Sequence, residues 1–324
     1  MVRAARITQQ GGPEVIEWVD VDLPSPGPGE VRMRNTAVGL NYIDTYHRGG
    51  LYPVKLPCGL GMEAAGVVEA IGEGVTRFAV GDRVCTFGPA LGAYATERNI
   101  AASALFATPE GVSDEIAAAA LLKACTAEFL VERCGKVQAK MPVLVHAAAG
   151  GVGLILVQWL KHIGATVIGT ASTEAKAERA RAAGADHVIL SGNADLAAQV
   201  RDLTDGHGVR VTFDGVGQDS WEASLNATGP RGMIVSFGNA SGPVSGINLA
   251  TINAKGSLFV TRPGLFHYYS DPLEREAGSD YVFDMIQQGI ISVSIDQRYP
   301  LEDAAQAHRD LEARLTTGST ILLP

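Results

Sequence analysis

The sequence predicts an α/β protein whose central part is a doubly wound parallel sheet and whose beginning is a β-rich unit. Two observations carry this expectation. From Val143 to Thr261, short apolar runs alternate with helix-like segments, as strands joined by crossover helices do. Over roughly the first 120 residues, the apolar runs are short and separated by Gly/Pro clusters such as Pro24-Ser25-Pro26-Gly27-Pro28-Gly29, which marks irregular, mostly antiparallel strands.

In order along the chain, Val31–Val38, Ala65–Ile71 and Arg83–Phe87 are predicted strands of the first unit. Val143–His146 is the next, followed by a Gly-rich turn and an apolar helix from about Val152 to Ile163. Gly164 closes that helix, and Lys161 and His162 fall in its last turn, where cations meet the negative end of the dipole. Thr166–Thr170 is a strand, and Glu174–Ala183, built from good helix formers, stops at Gly184. Strands recur at His187–Leu190, Val209–Phe213, Met233–Phe237 and Leu258–Val260. Mixed character returns after Pro263 and ends in Thr320–Leu323, a strand able to pair with the first unit.

The whole chain sets bounds on function. Its 324 residues suit two units. With 46% apolar and 19% charged residues it reads as folded, and its net charge of −9 argues against nucleic acid as a partner. No secretory h-region is visible, and no run reaches the ~18 apolar residues of a membrane span; the richest stretch, Ile116–Val131, is broken by Lys123 and Glu128. Cys58, Cys85, Cys125 and Cys134 lack metal-binding spacing and read as reduced thiols, so a cytoplasmic location away from membranes is expected.

The most informative segment is Val143-Leu-Val-His-Ala-Ala-Ala-Gly-Gly-Val-Gly153, with small residues at Ala148, Gly150 and Gly153. Between a strand and a helix, that spacing lets the chain turn sharply, bring its backbone to a pyrophosphate and offer the helix N-terminus to phosphates. Ala149, Gly150, Gly151, Val152 and Gly153 are therefore candidate cofactor-binding residues. No acid ends the next strand, Ile168-Gly169-Thr170-Ala171, where an NAD site places one on the ribose. Ser172, Thr173 and Lys176 can instead receive a 2′-phosphate, opposed by Glu174 if it points inward, so NADPH is the expected cofactor.

Several motifs carry a family resemblance. Gly59-Leu-Gly-Met-Glu-Ala-Ala-Gly-Val-Val68, Ile71-Gly-Glu-Gly-Val75, Phe78-Ala-Val-Gly-Asp-Arg-Val84 and Gly184-Ala-Asp-His-Val188 resemble medium-chain dehydrogenases/reductases. Within that superfamily Asn41-Tyr-Ile-Asp-Thr-Tyr46, Ser236-Phe-Gly-Asn239 and Val260-Thr-Arg-Pro263 are similar to bacterial NADPH:quinone oxidoreductases, relatives of zeta-crystallin. The resemblance implies a GroES-like β-rich catalytic domain (residues 1–124, completed by 263–324) and an NADPH-binding Rossmann domain at residues 125–262. It also implies a homodimer and a cofactor in the cleft between the domains. Zinc-bearing relatives carry Gly-His-Glu and a zinc Cys where this chain has Gly61-Met62-Glu63 and Asn41, so metal-free chemistry is expected. Ser191 stands where relatives often have a Tyr near the 2′-phosphate.

A quinone is already electrophilic, so orientation, water exclusion and stabilisation of charge on its oxygen suffice for hydride transfer. Asn41 is expected at the nicotinamide ribose or the substrate oxygen, and Tyr46 and Tyr52 at the substrate, though amphipathic packing explains Tyr residues equally well. Thr126 matches a family position facing the nicotinamide. Phe237, Gly238 and Asn239 follow a strand at the ligand-binding sheet edge, and Arg262 and Arg314 are candidates for cofactor phosphate or amide contacts, with a surface charge as the plain alternative. Asp44 and Glu63 suit supporting roles better than acid/base hydrolysis. Two rival functions stand: C=C reduction of enones or 2-alkenals with the same cofactor, and a nucleotide-binding structural or RNA-binding protein. The edge Gly256–Thr261 is the candidate dimer interface.

Overall fold

The computed structural model describes residues 1–192 and 195–324. The chain divides into two compact units, one of Met1–Leu122, Ser279–Gln287 and Val293–Pro324, the other of Lys123–Gly278 and Gln288–Ser292. Residues 263–278 thus group with the central unit and not, as the sequence suggested, with the terminal one. The cause is a set of side-chain contacts. Tyr269 Oη donates to Glu128 Oε2 at 2.7 Å, Tyr268 stacks on Phe129 with ring centroids 4.7 Å apart, and Arg133 lies over the Tyr269 ring.

In the central unit six parallel strands lie in the order His187–Leu190, Thr166–Ala171, Pro142–Val145, Val209–Asp214, Thr228–Ser236, Phe259–Thr261. The chain winds outward in one direction from Pro142–Val145 and then in the other, so the order reverses beside that strand. Its fully buried Leu144 and Ile168 pack with Ile189, Leu196, Val200, Val209 and Ala227. The helices Gly151–Ile163 and Glu174–Ala182 match expectation, and Gly164 takes the left-handed φ of 84° that closes the first. The edge strand is one residue later than predicted, because Leu258 turns into the core while Phe259 is 59% exposed.

After the Asp114–Glu128 helix the chain continues as a π-helix over Phe129–Gly135. Its wider turn matches the Arg133–Glu128 ion pair, five residues apart at 2.9 Å, and the Trp159 indole donating to Glu132 at 2.8 Å.

The terminal unit holds a seven-stranded sheet in the order Ile295–Pro300, Ser319–Leu323, Glu30–Leu40, Glu63–Ile71, Arg83–Phe87, Leu105–Ala107, with Glu97–Ala101 also paired to Glu30–Leu40. Every pairing is antiparallel except that of the two C-terminal strands. The last strand joins the first unit as expected, with Ile321 opposite Gly39. Glu30–Leu40 shifts register twice against Glu63–Ile71, and a Cβ on Gly66 would lie 2.0 Å from Arg34 O, so only glycine passes there. Ile7, Val31, Met33, Leu60, Tyr94 and Leu105 form the centre of its core, each large aliphatic adding about 1.5–3 kcal/mol by burial.

Candidate active site

The nucleotide side begins where Pro142–Val145 ends. Ala147 has a left-handed φ of 52°, and its carbonyl accepts from Gly150 N at 3.0 Å, which closes the turn. Gly150 is the N-cap of the Gly151–Ile163 helix. A Cβ on Gly153 would sit 2.3 Å from Ala147 O, so the helix rests directly on the turn. The amides of Gly151, Val152 and Gly153 are first-turn donors without a helical carbonyl to bond, and beside Ala149 they form a cradle of backbone N–H groups suited to a pyrophosphate.

Ser172, Thr173, Lys176 and Ser191 gather at the end of Thr166–Ala171. Thr173 caps the next helix, its Oγ1 accepting from Lys176 N at 3.3 Å, and Ser191 N donates to Ala171 O at 2.7 Å. Glu174, a possible opponent of a 2′-phosphate, bonds Arg181 at 2.6 Å further along its own helix. At the next strand end, Phe237 N and Gly238 N donate to Asp214 O at 2.8 and 3.4 Å. Arg262 is exposed yet employed: Nη1 donates to Ser236 O at 2.8 Å, and Nη2 donates at 2.9 Å to Asn239 Oδ1 when that amide is turned to satisfy both ends. It braces the Ser236–Asn239 turn, a role the sequence did not offer. Thr126 is half-buried in the Asp114–Glu128 helix.

On the terminal unit, Asn41 is the N-cap of the Tyr42–Gly49 helix in a capping box with Asp44, and Gly50 closes it at φ 89°. Asn41 is 4% exposed; its Nδ2 donates to Glu63 Oε2 at 2.7 Å, while Glu63 Oε1 accepts from Leu122 N at 2.6 Å. Asp44 Oδ2 accepts from Asn41 N at 2.9 Å. Asp44 and Glu63, both fully buried, therefore hold Asn41 from two sides. Tyr46 packs edge-on to Tyr52 at 5.2 Å and beside Tyr42 at 5.5 Å, with His47 6.0 Å from Tyr52. Burial pushes the Tyr42 phenol up and the His47 imidazole down. Arg314, at φ 61° after the Ala304–Glu312 helix, lies near Tyr42 and partly offsets that rise.

Sequence reasoning missed the wiring beneath this helix. Arg48 Nη1 donates to His308 Nδ1 at 2.9 Å, which leaves the proton on Nε2 to be donated to Tyr94 Oη at 3.0 Å. Tyr94 Oη in turn donates to Asp44 Oδ2 at 2.9 Å, and Arg48 Nη2 donates to Glu312 at 2.6 Å. Burial, reinforced by Arg48, drives His308 down to about 3, and burial with Asp44 lifts the Tyr94 phenol well above its usual range. The bonded pairs are 50, 214, 260 and 264 positions apart, so no local pattern reports them; the amphipathic spacing of Asp44 and Arg48 was the one available hint.

Where the resemblance implies a zinc Cys and a zinc His in metal-bearing relatives, this chain offers an amide (Asn41) and a thioether (Met62, 2% exposed), and the adjacent Glu63 carboxylate is already bonded to Asn41. Such a set does not suit tetrahedral zinc. Among the described residues no group of three or more His, Cys, Asp or Glu comes together, and no helix is long and apolar enough to cross a membrane.

Residues 27–119 match the alcohol dehydrogenase GroES-like domain, and residues 151–267 match the zinc-binding dehydrogenase domain. The chain is 49% identical to a quinone oxidoreductase of Pseudomonas aeruginosa, covering 100% of both chains. It is 46% identical to a 2-haloacrylate reductase of a Burkholderia species, covering 100% of this chain and 99% of the other. It superposes on the crystal structure of Escherichia coli quinone oxidoreductase complexed with NADPH with a TM-score of 0.97, at 45% identity and 100% coverage of both. A GroES-like unit, a Rossmann unit with a Gly-rich turn after its first strand and full-length similarity together place this chain in the quinone oxidoreductase family of the medium-chain dehydrogenases/reductases.

Proposed function

We propose that this protein is an NADPH-dependent quinone reductase that needs no metal. The observation that carries the reading is the Gly-rich turn with an acid-free strand end beside it, where Glu174 is bonded to Arg181 and Ser172, Thr173, Lys176 and Ser191 collect. NADPH, when bound, supplies the hydride. Ala149–Gly153 bind its pyrophosphate through backbone N–H groups, and Ser172, Thr173, Lys176 and Ser191 select the 2′-phosphate. Phe237, Gly238 and Asn239 shape the rest of the cofactor surface, with Arg262 bracing them; Thr126 and Asn41 serve the nicotinamide end. Tyr46 and Tyr52 orient the quinone and donate to its oxygen as charge develops, and Arg314 adds positive potential beside Tyr42.

The test is oxidation of NADPH, followed by loss of reduced-nicotinamide absorbance, with 1,4-benzoquinone, 9,10-phenanthrenequinone and a 2-alkenal, repeated with NADH and with EDTA. Fast, EDTA-insensitive turnover of the quinones with NADPH is expected; turnover of the alkenal alone refutes the substrate assignment. The 2-haloacrylate reductase similarity supports C=C reduction as the second reading. The net charge of −9 disfavours the RNA-binding reading.

The protein works in the cytoplasm as a homodimer in this reading. Phe259–Thr261 is the open edge of the parallel sheet, and the 59% exposed Phe259 suits a second copy of the same edge. Phe259→Lys is expected to give a monomer in sedimentation; an unchanged dimer removes this edge from consideration.

A further inference from the structure

Four buried side chains of the central unit connect the Gly-rich turn to the neighbouring strands, and the reading above uses none of them. His146 is 4% exposed and Thr170 1%, while Ser224 and Asp214 are fully buried. Thr170 Oγ1 lies 3.2 Å from both Ala147 N and His146 Nδ1. Ser224 Oγ lies 3.0 Å from His146 Nε2 and 2.6 Å from Asp214 Oδ2. The composition is that of a hydrolytic triad, but the order is not. Here the serine bridges histidine and carboxylate, and full burial denies it an electrophile.

Donors and acceptors fix the direction of this chain. Asp214 accepts throughout, from Val216 N, Gly217 N, Ser220 Oγ and Ser224 Oγ. Ser224, having donated its proton to Asp214, accepts from His146 Nε2–H. Burial keeps the imidazole below its usual range, with Asp214 opposing, so Nδ1 is free to accept from the Thr170 hydroxyl. The Thr170 oxygen then accepts from Ala147 N–H. The sequence of bonds runs unbroken from the first amide of the turn to Asp214.

The turn needs such an anchor. Ala147 holds φ at 52°, a conformation that L-residues other than Asn and Asp disfavour, and its carbonyl lies under both Gly150 and Gly153. The same Asp214 also ties the turns on its other side, since its backbone carbonyl accepts from Phe237 N and Gly238 N. Asp214 thus ties three turns at the C-terminal edge of the sheet, two through its carboxylate and the Phe237–Gly238 turn through its backbone carbonyl.

We infer that Thr170, His146, Ser224 and Asp214 are positioning residues for the dinucleotide pyrophosphate, holding the Ala147–Gly153 turn in its binding form through a neutral, Nε2-protonated histidine. The inference rests on the NADPH reading above. A turn that is competent only part of the time binds with an affinity reduced by that fraction. Competence for a tenth of the time raises Kd tenfold, equal to ~1.4 kcal/mol.

The experiment compares Thr170→Val, Thr170→Ser and Ser224→Ala with the unaltered protein. NADPH Kd is read by fluorescence of the bound reduced nicotinamide, and quinone KM is read at saturating NADPH. Thr170→Val and Ser224→Ala are expected to raise the NADPH Kd about tenfold with quinone KM unchanged, and Thr170→Ser, which keeps the hydroxyl, to restore it. Imidazole 15N shifts of the unaltered protein should report His146 as the neutral Nε2–H tautomer, a readout that survives even if a variant fails to fold. An Nδ1–H tautomer, or variants that lose thermal stability while their Kd stays within twofold, overturn the inference. Absence of NADPH binding by the unaltered protein is a separate outcome that overturns the cofactor reading itself and this inference with it.

Discussion

Tyr94→Phe removes one oxygen from the middle of the buried network and leaves the ring. The side chain is fully buried, so no cavity larger than a hydroxyl results and the loss is almost wholly one of hydrogen bonding. Two partners are affected. His308 Nε2–H, 3.0 Å from the missing oxygen, loses its acceptor, and Asp44 Oδ2 loses a donor at 2.9 Å while keeping the Asn41 amide. An orphaned buried donor costs about 1–3 kcal/mol, and a lost bond to a carboxylate about 1.5–3 kcal/mol, so their sum, reduced by relaxation, is about 2–4 kcal/mol. For units of this size that lowers Tm by roughly 5–12 °C. Because Asp44 caps the helix bearing Tyr46 and also holds Asn41, the quinone KM should rise, together with any loss at the nicotinamide end. Differential scanning calorimetry and steady-state kinetics read the two effects. A Tm within 1–2 °C of the original, roughly the effect of a surface change, refutes the assignment of Tyr94 as the link between His308 and Asp44.

Three more perturbations test other parts of the structure. His308 titrates at about 3 when folded against an ordinary 6.5, so the unfolded chain binds the extra proton first. Its contribution is complete above pH 6.5 and falls as pH drops toward 3, about 2 kcal/mol being lost by pH 5. Denaturant unfolding of His308→Gln should show a shallower acid slope than the original over that window, and parallel slopes contradict the buried neutral histidine. Gly153→Ala places a methyl 2.3 Å from Ala147 O, an overpacking of about 1–3 kcal/mol, and should abolish tight NADPH binding as measured by fluorescence titration. Lys176→Ala should weaken NADPH by about tenfold or more while leaving NADH unchanged, the loss of one charge-assisted phosphate contact; equal weakening of both cofactors places Lys176 elsewhere.

The central unit was legible because its signals are local. Gly164 and Gly184 take positive φ at helix ends and Gly153 sits where a Cβ would meet Ala147 O, each a problem within a few residues; the strained position itself is Ala147, one residue before the small residue at 148. The edge strand slipped by one residue because Leu258 and Phe259 are both large and apolar, and only packing decides which faces inward. The π-helix at Phe129–Gly135 left no signal, since two of its partners, Trp159 and Tyr268, are distant in sequence. The bracing role of Arg262, a candidate cofactor contact in the sequence, was invisible there because its partners are backbone Ser236 O and Asn239, 23–26 residues away.

The two histidines that sequence reading passed over, His146 and His308, obey one physical rule. Each is buried, and each is held neutral: one nitrogen accepts a hydrogen bond, from the Thr170 hydroxyl or the Arg48 guanidinium, and the other donates toward a carboxylate through a hydroxyl, Ser224 or Tyr94. A buried chain of this kind adds little net stability, because every member exchanges water for a protein partner. What it supplies is uniqueness. With each donor matched to a single acceptor, a shift of either the Ala147 turn or the Tyr42–Gly49 helix breaks several bonds together, so the two backbone segments nearest the proposed chemistry have one low-energy position. That accounts for polar residues being retained in cores where leucine or phenylalanine would pack as well: a directional hydrogen bond fixes a turn or a helix in place within its own unit, and apolar contacts, being non-directional, do not.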